Sequence, residues 1–304
     1  MRSPHWSLIQ YRRSESDSTH LGVLFEDAVH ALPASWPENA AQLLDEWRQW
    51  EAKLRNLDVH SLQTLSETEL IAPLTYPRKI VCAGANYSDH VQEMGGTVPS
   101  VPSEPFFFLK PPSTTIVGTG SDILFPEGEG VKLDFEAELG VVIADRCQGI
   151  DAAHAMEHVA GYVVANDVSA RGLFHRGDPM APAFAWDWFA HKAFDGSCPI
   201  GPGIVPAWLV GEPQNLRITL AVNGQTKQDS STSNLIAGIP ELIAAASRHM
   251  TLEPGDLILT GTPAGVGMPR GEFLAPGDVI SVEIEGLGRL ENRVSLRNRS
   301  LAQL

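Results

Sequence analysis

Apolar residues recur along this chain at two different periods, and the change of period divides it. Near the N-terminus, "WSLIQYRR" and "THLGVLFEDAVHAL" read as strands, the second run turning back near Glu26 and Asp27. "NAAQLLDEWRQWEAKLRNL" instead sets Leu43, Leu44, Trp47, Trp50 and Leu54 along one side of a helix. "SETELIAPLTYPRKI" then carries the prolines of a linker. Residues 1–75 are therefore expected to form a small N-terminal α/β domain, with residues 76–304 forming the larger second one.

From Lys79 onward, short β-rich runs alternate with Gly, Pro and Asp turns. They include "KIVCAGA", "PFFFLK", "STTIVG", "AELGVVIAD", "VAGYVVANDVS", "RITLAVNGQ", "DLILTGTP", "DVISVEIEGLG" and "GRLENRVSL". The Asn-Gly in "AVNGQ" fits a type I′ hairpin turn, where both central residues need positive φ. Helical runs are few: "AAHAMEHV" (152–159) and "IPELIAAASRHM" (239–250). The pattern predicts an α+β, β-rich domain rather than βαβ alternation.

Composition narrows this picture. A chain of 304 residues suits one large domain or two, and 27 Gly with 22 Pro supports many turns. Net charge is −15 and no Lys/Arg run occurs, which argues against a nucleic-acid partner or an anionic membrane surface. The acidity itself fits either a soluble surface or a cation site. Cys82, Cys147 and Cys198 are far apart, so buried free thiols and a reducing compartment are expected. The N-terminal stretch has no apolar leader, and no run approaches a membrane span; a cytoplasmic location is the expectation.

Within this frame "KLDFEAELGVVIAD" stands out. Glu136 and Glu138 open an apolar run, and residues two apart on a strand share a face. Two carboxylates entering a core need their charge cancelled. A hard cation would do so, and "GYVVANDVSAR" supplies a third carboxylate, Asp167, after another apolar strand. Three carboxylates plus waters suit Mg²⁺ or Mn²⁺. Taken alone, the E-x-E also fits a solvated strand edge, and Asn166-Asp167 a turn. In "NYSDHVQEM", His90 and Glu93 are three apart and share a face on a helical turn. A carboxylate there would fix the imidazole tautomer and raise its basicity, although the same spacing is common in surface pairs.

Seven segments in order resemble the fumarylacetoacetate hydrolase family across about Arg78 to Val294. They are "AGANYSDHVQEM", "PFFFLKPPSTTIVGTGSDI", "LDFEAELGVVIAD", "GYVVANDVSAR", "HKAFDGSCPIGP", "TLEPGDLILTGTPAGVG" and "LAPGDVISVEIEGLGRLENRV". The resemblance implies a mixed β-roll catalytic domain and a homodimer. It also implies one Mg²⁺ or Mn²⁺ per subunit on Glu136, Glu138 and Asp167. His90 becomes the general base, Glu93 its orienter, and Lys192 a cation beside the metal. Tyr87, Arg171, Thr262 and Phe174 fall at substrate-facing positions. Gly95, Gly96 and "TVPSVPSEP" match a mobile flap; Lys110 lies in a matching segment but receives no role.

The chain departs from the family's pattern at two places. Ala85-Asn86 precede the lid tyrosine where animal members carry a further aspartate ligand, so three protein ligands are expected. Phe174 stands where the family commonly has a glutamine, implying a less polar substrate end or a contact from His175, Arg176, Trp186 or Trp188. The implied reaction is hydrolysis of a C–C bond in a 2,4-dioxo acid of the acylpyruvate or fumarylpyruvate kind. The metal would polarise the 2-oxo group and His90 would activate the attacking water. The same enolate chemistry serves tautomerases and isomerases of hydroxydienedioate-type acids and decarboxylases of oxaloacetate, and no residue excludes these.

Overall fold

The two most apolar runs pair with each other at the middle of the structure, a computed structural model that describes residues 6–13, 16–98 and 104–296. In chain order, the first part supplies β1 (Ser7–Arg13), β2 (Ser16–Phe25), β3 (Ala28–Ala31), α1 (Ala40–Asp45), α2 (Trp47–Arg55), β4 (Gln63–Leu65) and β5 (Thr68–Ile71). Next come β6 (Ile80–Gly84), α3 (Ser88–Glu93), β7 (Phe106–Lys110), β8 (Ile116–Val117), β9 (Asp122–Phe125) and β10 (Leu133–Asp134). The centre contributes β11 (Ala137–Ile143), α4 (Ala152–Ala155), β12 (Val159–Asn166), β13 (Ser169–Ala170), α5 (Trp188–Lys192) and β14 (Cys198–Pro206). The last part adds β15 (Arg217–Val222), β16 (Gln225–Ser231), α6 (Ile239–His249), β17 (Leu257–Leu259), β18 (Val279–Ile284) and β19 (Gly288–Leu296).

The large sheet runs β4-β3-β2-β1-β14-β12-β11-β17-β6-β7, with β5 also on β1 and β8 on β14. A second sheet runs β16-β15-β18-β19-β9. Alternation within β11 explains why its run is apolar throughout. Ala137, Leu139, Val141 and Ile143 enter one core, which also holds Ile218, Val282 and Ile243 from the second sheet and α6. Val142, with Ala144 just beyond the strand, enters the other core, beside Leu43, Trp47 and Leu54 from α1 and α2. A strand covered on both faces has no solvent side to mark with polar residues. The same parity puts Glu138 on the face of Val142, with Glu136 two residues before it.

The β-rich α+β expectation holds. The Asn-Gly hairpin is also present: Asn223 and Gly224 have φ of 50° and 77° between β15 and β16. Two local readings need correcting. The helical run at 39–57 is two helices, because Glu46 leaves the helical region (φ −119°, ψ 32°). The linker contains β5, which pairs with β1 from Gln10↔Ile71 to Arg13↔Thr68. The N-terminal strands continue the central sheet through Leu8↔Ile204, and both cores are closed by residues from β11 and β12. All three cysteines are free and buried. Among the described residues, no helix is long and apolar enough to cross a membrane. Residues 99–103 of the expected flap lie outside the described residues.

Candidate active site

The start of β11, the end of β12 and the loop after β17 converge, and each delivers part of one polar cluster. Asp167 N–H donates to the Glu136 carbonyl (2.9 Å), and Glu136 N–H donates to Asn166 Oδ1 (3.0 Å). These bonds lock the two carboxylate-bearing turns together. Glu136, Glu138 and Asp167 each offer an oxygen, all within 4.8 Å of one another, and all three residues are buried. An all-oxygen, all-carboxylate donor set fits a hard divalent cation. The three residues expected to bind metal are thus brought together.

Protein cations already neutralise two of the three. Lys192 Nζ donates to Glu136 Oε2 (2.9 Å) and to Asp167 Oδ2 (2.6 Å). Lys110 reaches from β7 to Asp167 Oδ1 and to the Val168 carbonyl. Arg171 pairs with Glu136 and, at 3.0 Å, with Asp134. Burial opposes ionisation of Glu136, but Lys192 and Arg171 outweigh it, and its carboxyl titrates well below the usual range. Burial likewise opposes the Lys192 charge, and Asp167 and Glu136 outweigh it, raising its pKa. Glu138 differs. It makes no ion pair among the described residues and accepts one bond from Gly261 N–H at 2.6 Å. Burial first, then the charges of Asp167 and Glu136, push its carboxyl well above the usual value. Glu138 is the carboxylate left for an added cation to claim.

Gly261 explains why the approach is this close. Its φ is +96°, and an added Cβ would lie 3.0 Å from Asn86 Cβ and 3.2 Å from the Ala83 carbonyl. Only glycine turns the chain here without strain.

His90 and Glu93 lie on α3. His90 Nδ1 is 3.2 Å from Glu93 Oε2, and Glu93 is held in turn by Gly265 N–H at 3.0 Å. His90 is near enough to Glu136 for a positive charge on it to favour the ionised carboxylate. Asn86 anchors the start of α3 to the neighbouring loops through Ala237 and the Thr260 carbonyl (2.9 Å). Tyr87 is wholly buried; its hydroxyl lies by Thr260 without forming a hydrogen bond. Thr262 is buried and its hydroxyl accepts from Gln228 Nε2 (2.8 Å), so its own proton stays available. Phe174 packs against Trp186, Trp188 and His191, with ring centroids 4.9, 4.8 and 4.5 Å away.

Several residues of the cluster carry no role in the sequence reading. Lys110 has no local signal, since its partner is 57 positions away. Asp134 had one: it extends the alternation of Glu136 and Glu138 back by two, and it accepts Arg171 plus the N–H groups of Gly267 (2.7 Å) and Met268 (3.0 Å). Gln228 braces β11 to the Thr262 loop, accepting from Ala137 N–H at 2.9 Å, from within an otherwise polar strand. His191 is buried beside Arg171, its Nδ1 without a partner.

Burial, with the charges of Lys192 and Arg171, lowers the His191 pKa from 6.5 to about 3. The unfolded chain therefore binds this proton more readily, and stability falls as pH drops from 6.5 toward 3. By linkage the loss is roughly 1–2 kcal/mol at pH 5. His191→Phe is expected to remove that part of the acid sensitivity, read as a smaller shift of the urea midpoint between pH 7 and 5. An unchanged shift would show that another group is responsible.

A family model described as fumarylacetoacetate (FAA) hydrolase C-terminal matches residues 79–295. The mitochondrial oxaloacetate tautomerase of Bos taurus is 38% identical over 301 residues, covering 96% of this chain and 92% of its own. An oxaloacetate tautomerase of Bacillus subtilis is 40% identical over 258 residues, covering 84% of this chain and 81% of its own. Among solved structures, the maleylpyruvate hydrolase of Sphingobium sp. SYK-6, in complex with manganese(II) and pyruvate, aligns with a TM-score of 0.75. It is 28% identical and covers 96% of this chain and 100% of that one.

Proposed function

Because this chain belongs to the fumarylacetoacetate hydrolase family, we propose that it is a metal-dependent tautomerase interconverting the enol and keto forms of a small 2-oxo acid. Oxaloacetate is the reference compound, since relatives at 38–40% identity carry that activity in their names. The observation that carries the reading is the buried acid cluster, bridged by Lys192. The cluster serves both reactions; the names of these relatives are what favour tautomerisation over C–C hydrolysis, the reaction expected first from the sequence.

Glu136, Glu138 and Asp167 would hold the Mg²⁺ or Mn²⁺, which when bound supplies Lewis acidity toward the carboxylate and 2-oxo oxygens of the acid. Lys192 offers a fixed ammonium to the charge developing on the 2-oxygen of the enolate. His90 Nε2, left free by the Nδ1 contact to Glu93, is assigned to deliver a proton to C3 in one direction and to remove it in the other. Arg171 is spent on Glu136 and Asp134, so its part is to orient Glu136. A homodimer belongs to this reading. The edge strand β7 leaves Phe106 52% and Leu109 55% exposed.

Enol oxaloacetate, followed by the decay of its absorbance, tests the proposal. With Mg²⁺ or Mn²⁺ the protein is expected to accelerate conversion by at least about 100-fold, the scale of positioned acid–base catalysis. A metal-loaded protein that leaves the spontaneous rate unchanged would sink the reading. One observation favours a second reaction: Gly265 holds Glu93 against His90 as a water-activating base requires. Pyruvate release from acylpyruvates by the same preparation would identify hydrolysis.

A further inference from the structure

A chain of rings runs beside the acid cluster and returns to it. Lys192 Nζ lies 5.2 Å from the ring centre of Phe108. Phe108 is 5.0 Å from Trp188, Trp188 4.8 Å from Phe174, and Phe174 4.5 Å from His191. His191 Nε2 is 3.5 Å from Arg171 Nη1, and Arg171 and Lys192 both bind Glu136. Phe108, Phe174 and Trp188 are only half-buried, so each keeps part of its surface open. His191 closes the circuit from beneath, fully buried and uncharged at neutral pH.

Two polar ends of a substrate would fare differently here. A second carboxylate set against these rings would meet their negative faces and lose water. Arg171 is already engaged by Asp134 and Glu136, and the one N–H that Lys192 keeps beyond Glu136 and Asp167 is assigned to the 2-oxygen, so neither is left to receive it. A flat aromatic group would instead gain offset and edge-to-face contacts with the same rings. We infer that Phe108, Phe174 and Trp188 form a subsite for a planar apolar group, and that the 2-oxo acid taken here carries an aryl substituent on C3.

This rests on the tautomerase reading and names its substrate class. The reaction balances without a co-reactant. The enol loses its O–H proton, C3 gains one, the C2–C3 double bond becomes single and C2–O becomes a carbonyl.

Phenylpyruvate and oxaloacetate, assayed on the same Mg²⁺-loaded protein, provide the test. Enol phenylpyruvate is expected to be converted with kcat/KM at least equal to that of oxaloacetate. In Trp188→Ala, the ratio of the two kcat/KM values is expected to fall by about 10-fold, as loss of an aromatic contact implies. Phe174→Ala is expected to act in the same direction. Conversion of oxaloacetate without phenylpyruvate would overturn the aryl subsite and leave the tautomerase reading standing. A parallel loss of both activities, with the ratio kept, would reduce the rings to a structural role and overturn it too. If neither enol is accelerated, the tautomerase reading fails, and calorimetry on the Mn²⁺-loaded protein judges the subsite by itself. Phenylpyruvate binding about 10-fold weaker in Trp188→Ala supports it; equal binding overturns it.

Discussion

Asp167→Asn is expected to lower metal-stimulated enol conversion by at least about 10³-fold and to destabilise the fold as well. The carboxylate has two functions at once. It offers one of the three oxygens within 4.8 Å, and it accepts from both Lys110 and Lys192. Both ammonium groups are almost wholly buried. An amide of the same shape keeps the packing but leaves Lys110 without its carboxylate partner, and breaking a buried pair in this way costs about 3–5 kcal/mol. For a chain of this size the thermal midpoint should drop by about 5–8 °C. Melting curves with and without Mn²⁺ separate the two effects. Wild type should be stabilised by the ion through mass action, and the variant should not respond. An Asp167→Asn variant that still melts higher with Mn²⁺ would mean that this residue is no ligand.

That double duty also explains what could and could not be read from the chain. Glu136, Glu138 and Asp167 were legible because a charge inside an apolar, strand-like run is anomalous, and two of them fall on one face by parity. Asp134 follows the same parity and needed only one further step back. The cations that balance them were not legible in the same way. Lys110 and Lys192 come from β7 and α5, and nothing local distinguishes a lysine bound for a buried carboxylate from one facing water. Gln228 is harder still, because it sits in "QTKQDSS", where one more polar residue carries no signal. At the level of the fold, alternation identified most strands. It also placed Leu43, Leu44, Trp47, Trp50 and Leu54 correctly as buried. The break at Glu46 escaped because the apolar spacing continues through it. Strand β5 escaped because its neighbouring prolines read as a linker, while its pairing with β1 is a long-range fact.

His90→Gln should cost the second-largest share of activity, about 10²- to 10⁴-fold in kcat, while metal binding is kept. The contact of Nδ1 with Glu93 Oε2 at 3.2 Å favours the tautomer with the proton on Nδ1, so Nε2 carries the lone pair that exchanges a proton with C3. Glutamine can fill the space and reach Glu93 but has no group that titrates. Glu93→Gln is the informative companion. It removes the charge that supports the imidazolium, and Gly265 N–H can still bond the amide oxygen, so the loop should stay in place. Its kcat should fall less, by about 10- to 100-fold, because His90 keeps its proton-exchanging nitrogen while the partner that orients the ring is weakened. Neither residue supplies an oxygen to the carboxylate cluster, so the Mn²⁺-dependent rise in melting temperature should survive in both variants. Full activity in His90→Gln would move proton transfer at C3 to another group, with Lys192 next in line because its ammonium already bridges Glu136 and Asp167.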